Sequence, residues 1–166
     1  MSSYDSIEQQ VVDALTAFPD KALKQDYSDA QWTKGIKIAL GDLGAQCGFD
    51  ICTAGLPNKF SSEWLFDMVW YKNDEQGHLV DLPLVLESEW SLSFDNIKYD
   101  FEKLLAARSP HRVLIYQAPT QAKVEEISRH LITEIAKFRY SQPGDRYLFA
   151  GYDFVTTCFN FRLFIY

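Results

Sequence analysis

Apolar residues recur at two periods along the chain, and the period marks each element. Ile7, Val11, Leu15 and Phe18 stand at helical spacing over residues 5–18, with Pro19 as the bound. A second helix is predicted over 29–47 from the stripe Ile36, Leu40, Leu43 and Cys47, ending at Gly48. Residues 49–54 read as a short buried strand followed by a turn at Gly55-Leu56-Pro57-Asn58, and 63–71 read as the next strand. Asn73 to Gly77 form a hairpin loop, after which Leu82-Pro83-Leu84-Val85-Leu86 is apolar on both faces and ends in Glu87-Ser88-Glu89-Trp90, the pattern of a central strand that delivers charge at its C-terminal end. From Phe94, the residues Ile97, Phe101, Leu104 and Leu105 make an amphipathic helix that stops near Ser109-Pro110. Residues 112–116 are a further buried strand, Val124, Ile127, Leu131, Ile135 and Phe138 stripe the last helix, and two aromatic strands close the chain at 147–154 and 157–166. The order α-α-β-β-β-α-β-α-β-β predicts an α/β fold, a mixed central sheet flanked by helices.

At 166 residues, 47% of them hydrophobic, the chain suits one well-buried core, so residues 1–166 are expected to form a single domain. Cys47, Cys52 and Cys158 are odd in number, lie in apolar runs and lack the CxxC spacing of a structural zinc site; they read as reduced core thiols. The N-terminus has no basic stretch ahead of an apolar one, and no run of about 18 apolar residues occurs, so a cytoplasmic protein with no membrane partner is expected. A net charge of −7 argues against a general nucleic-acid coat, because phosphate binding works by counterion release to a basic surface. A local basic groove would have to come from Lys34 and Lys37, or from Lys98, Lys103, Arg108, His111 and Arg112, and the latter are interrupted by Asp100 and Glu102.

Carboxylates at the ends of buried strands are costly unless something offsets their desolvation. Asp67 lies within the apolar run Trp64 to Trp70, and Glu87 and Glu89, two apart on the next strand, share a face. A hairpin between these strands would set Asp67 beside Glu87, within about 6 Å, as an oxygen site for a hard cation such as Mg²⁺ or Mn²⁺. Glu63, four residues before Asp67, reads either as a fourth acid or as an exposed strand-start glutamate.

Acid on one strand and E-x-E on the next resembles the PD-(D/E)xK nuclease superfamily, whose restriction-endonuclease-like core has the order αβββαβ. The resemblance covers roughly residues 29–117, leaving an extra N-terminal helix and two C-terminal strands. It implies Asp67 and Glu87 as metal ligands, Mg²⁺ or Mn²⁺ as cofactor, DNA as substrate and phosphodiester hydrolysis as the activity. Glu89 takes the lysine position, as in a minority of the superfamily, and would serve as base. Some members displace the lysine to another element. On helical phase Lys98, at the edge of the apolar stripe, is the better candidate here, with Lys103 pointing away from it.

A second class of function stays open: a catalytically silent nuclease-fold protein that binds a protein partner, of the immunity or inhibitor type, consistent with the acidic charge and the missing motif lysine. The aromatic C-terminal strands could offer an edge for a homodimer. His78, His111 and His130 have no ligand spacing and read as surface residues. Trp32, Trp64, Trp70 and Trp90 read as core or rim packing. No P-loop, GxGxxG, nucleophile elbow or HExxH occurs.

Overall fold

The computed structural model describes residues 3–56 and 58–166; Pro57 of the expected turn lies outside them. Helix α1 (Ser6–Lys24) opens on a capping box, in which Asp5 accepts from the Ile7 and Glu8 amides and Glu8 accepts from the Asp5 amide. It runs through Pro19 rather than ending there. Proline inside a helix costs about 3 kcal/mol through a lost hydrogen bond and ring crowding. Burial of Phe18, Pro19 and Ala22 together offsets it.

Helix α2 (Asp29–Gln46) starts on a second capping box, Ser28 with Gln31. Strands β1 (Asp50–Thr53), β2 (Met68–Asn73) and β3 (Leu79–Glu89) follow, then helix α3 (Phe94–Leu105), β4 (His111–Ala118), α4 (Gln121–Lys137), β5 (Arg146–Asp153) and β6 (Cys158–Ile165). All six strands form one mixed sheet in chain order. The pairs β1–β2, β2–β3 and β5–β6 are antiparallel; β3–β4 and β4–β5 are parallel, with α3 and α4 as their crossovers.

Strand alternation sends the core to both faces. Met68, Trp70, Leu84, Leu86, Val113 and Ile115 pack under α1 and α2, against Val11, Leu15, Ile36 and Leu40. Val69, Val85, Leu114, Tyr116 and Phe149 pack under α3 and α4, against Ile97, Phe101, Leu104, Ile127 and Leu131. Gly44 lets α2 lie close to the sheet, since a Cβ there would come within 2.6 Å of Trp70.

Three details differ from the sequence pattern. Strand β2 begins at Met68, not at residue 63: Leu65 has φ 65° and the Phe66 amide donates to the Trp64 carbonyl at 2.8 Å, a tight γ-turn that breaks the extended chain. Cys52 is a buried free thiol, whereas Cys158, also free, is exposed beside the β5–β6 turn. His111 is buried, not a surface residue. No described helix is long and apolar enough to cross a membrane.

Candidate functional site

The β2–β3 ladder runs out at Met68 opposite Leu86, which places Asp67 one step beyond the last pair, abreast of Glu87. Asp67 is tied to both neighbouring strands. Its Oδ2 accepts from the Ser88 amide at 2.8 Å and the Ser88 hydroxyl at 2.9 Å, and its carbonyl accepts from Thr53 Oγ1 at 2.7 Å. Ser88, the x of E-x-E, thereby fixes the orientation of the acid on the adjoining strand.

Glu87 points to the α3 side and is 1% exposed. Burial pushes its carboxyl up to about 7; the negative charges of Asp67 and Asp100 add to the rise, and a hydrogen bond and attraction from Lys103 oppose it. Glu87 Oε2 accepts from Lys103 Nζ at 3.0 Å. Its other oxygen, Oε1, is buried with no hydrogen-bond partner among the described residues.

The cation at this site is Lys103, not Lys98. Lys103 lies 2.7 Å from Asp100 and 5.7 Å above the Tyr99 ring, and although its burial works against the charge, bonds to Asp100 and Glu87 raise its pKa and hold it protonated. Lys98 instead turns toward α4, where its Nζ is 3.4 Å from Glu134, and pairs with Glu102 of its own helix at 3.8 Å. Helical phase measures distance from the apolar stripe but not which flank adjoins the site. The Lys98 flank faces α4; the Asp100–Lys103 flank faces Glu87. Helical side chains lean toward the helix N-terminus, and a four-carbon stem lets the Lys103 ammonium reach back to a residue its Cα does not face.

Glu89 and Glu63 do not join this group. Glu89 Oε1 accepts from the Ser91 amide at 2.6 Å, in the turn that leads into α3. Glu63 is exposed in the segment before the γ-turn, outside any strand, so the same-face argument for it fails with the strand. Asp100 was missed by the sequence reading; its spacing of three from Lys103 on one helix is the signal that could have found it.

Residues 98–112 do not build the local basic groove that their cations could have supplied. Arg112 is buried, donating to the Ala107 carbonyl and pairing with Asp145 at 3.1 Å, and Lys98 and Lys103 are paired as above. One trio with metal-like spacing occurs among the described residues: Asp5, Glu8 and His111, whose ligand atoms lie within 4.8 Å of one another. It is already occupied by an arginine. Arg146 bonds both Glu8 oxygens, at 2.7 and 2.5 Å, and a cation there would have to displace it.

Set against known proteins, the chain matches no family model, no curated protein and no solved structure. The α/β architecture stands on the structure itself.

Proposed function

We propose that the chain is a metal-dependent phosphodiester hydrolase of the PD-(D/E)xK type acting on DNA, in which Lys103 supplies from α3 the cation that the motif places on the strand. The observation that carries this reading is the 3.0 Å contact between Lys103 and a buried Glu87 that stands beside Asp67. Two acids at the end of a central strand with a lysine beside them are the residue types that the resemblance asks for.

The donor set suits Mg²⁺ or Mn²⁺: Asp67 and Glu87 offer only oxygens, and the orphaned Glu87 Oε1 has the unmet coordination that a hard cation would satisfy. Bound there, such an ion would provide Lewis acidity, polarising the scissile phosphate and acidifying water. Ser88 holds Asp67 in place for that role. Lys103 favours the ionised form of Glu87 and offers positive charge to the phosphate as negative charge builds on it. Asp100 positions Lys103. Glu89, the base that the motif implies, is engaged through Oε1 in the turn and stands apart from this group, so no part in the step is assigned to it.

Plasmid cleavage with Mg²⁺ and with Mn²⁺ tests the reading. Glu87→Ala should abolish cutting, Lys103→Ala should reduce it by about 10²-fold or more, and Lys98→Ala should leave it within a few fold. Uncut DNA with wild type and both metals would overturn it, as would full activity of Lys103→Ala. The partner-binding alternative is favoured by one observation, that Lys98, Lys103 and Arg112 are all committed to carboxylates, which leaves little positive surface for a phosphate backbone.

A further inference from the structure

On the opposite face of the sheet from Glu87, where the parallel strands β3, β4 and β5 end, a cleft of about 380 Å³ opens between the sheet and the start of α2. Ligands of open α/β sheets sit beyond the C-terminal ends of strands. The walls are aromatic and come from separate elements: Trp32 from α2, Trp90 from the end of β3, Tyr152 from β5 and Phe154 from the turn after it. They are braced against one another, with Trp32 and Tyr152 centroids 5.2 Å apart, Tyr152 and Phe154 6.1 Å apart, and Trp32 backed edge-on by Phe18 at 5.3 Å. Such a frame receives a flat ring by stacking.

The polar lining narrows the choice of ring. Asp29 contributes a carboxylate, and one N–H of the Gln117 amide donates to the Trp90 carbonyl, which orients the Gln117 oxygen as a further acceptor. The lining residues include no lysine, arginine or histidine, so the cleft repels a phosphate while offering acceptors to ring N–H and exocyclic amino groups. The Trp90 indole N–H has no partner among the described residues. Trp90 is three residues after Glu87, about 10 Å along the strand and on the other face of the sheet, so a base from a chain held at Glu87 reaches it by turning around the C-terminal ends of the strands.

We propose that this cleft is a nucleobase site, which takes an amino-bearing base splayed from the strand to be cut; the identity of the ligand rests on the phosphodiesterase reading. Base–aromatic stacking is tolerant of sequence, and the acceptor lining adds a preference for adenine and cytosine over thymine.

Uncharged nucleosides separate the two proposals, since they probe the cleft without the phosphate. Tryptophan fluorescence is titrated with deoxyadenosine, deoxycytidine and thymidine, and with deoxyribose as the base-free control, in EDTA. Wild type should give saturable quenching with deoxyadenosine and deoxycytidine, at least threefold tighter than with thymidine, and none with deoxyribose. Phe154→Ala, at a position 45% exposed and so safe for folding, should weaken binding at least fivefold, and Asp29→Asn should erase the preference. Glu87→Ala should bind nucleosides like wild type. No saturable quenching, an equal response to deoxyribose, or wild-type binding by Phe154→Ala overturns the site. Nucleoside binding by a protein that cuts no DNA keeps the site and overturns the hydrolase; cutting without nucleoside binding does the reverse.

Discussion

Glu87 is the residue whose protonation governs the site. Its folded pKa, about 7, lies above the ordinary 4.5, so its contribution to stability is fully present below about 4.5 and is lost as pH rises through 7. The loss is on the order of 3 kcal/mol. Glu87→Gln keeps the shape without the charge, so the fall in melting temperature between pH 5 and pH 8 should be smaller in the variant than in wild type; an identical fall would show that Glu87 does not titrate in this range. Metal binding should run the other way. A cation competes with the proton on Glu87, so the rise in melting temperature produced by millimolar Mg²⁺ or Mn²⁺ should grow as pH increases through about 7 and vanish in Glu87→Ala.

At the scale of elements, α4 lies on β5 through a glycine. A Cβ at Gly151 would come 2.3 Å from Val124 Cγ1 and 3.1 Å from the Tyr116 ring, so Gly151→Ala must push α4 off the sheet. The expected cost is about 1–3 kcal/mol, read from chemical denaturation, with loss of the Tyr116 hydroxyl bond to the Val124 carbonyl as the local mark. A stability equal to wild type would mean that α4 shifts freely. The order of elements was legible because each apolar stripe is long and periodic. The limits of two elements were not, one being set by burial against segments distant in sequence and the other by a local turn that the apolar pattern does not mark. Pro19 stays helical because its neighbours are buried, and β2 starts late because of one γ-turn at Leu65. The pairing of Asp67 with Glu87 could be read from the hairpin, whereas the choice between Lys98 and Lys103 depended on where α4 sits, which no local pattern encodes.

Across the whole molecule, the N-terminal helix is fastened to the start of β5 by the Glu8–Arg146 pair, with His111 Nδ1 3.5 Å from Glu8. Burial alone would raise the Glu8 pKa; the hydrogen bonds and charge of Arg146 and the bond from the Asp5 amide, with His111 close by, outweigh it and hold the carboxyl at about 2. That contribution is present above about 4.5 and is lost as pH falls through 2, so it supports the fold over the neutral range. Arg146→Ala leaves a buried, unpaired carboxylate and should cost on the order of 3–5 kcal/mol at pH 7, with a smaller deficit at pH 3, measured by urea unfolding. A uniform deficit across that range would assign the loss to packing alone.

The sheet is laid down in chain order, each strand beside the one before it. A growing chain can therefore add strands one at a time, with no gap left for a later segment to fill. The Glu8–Arg146 contact is of another kind, since it joins residues 138 apart and can form only after β5 is in place. Arg146→Ala should then speed unfolding while leaving the refolding rate nearly unchanged, so that in a chevron plot only the unfolding arm moves. A slowed refolding arm would mean that the N-terminal helix docks before the barrier, and that assembly begins at both ends of the chain.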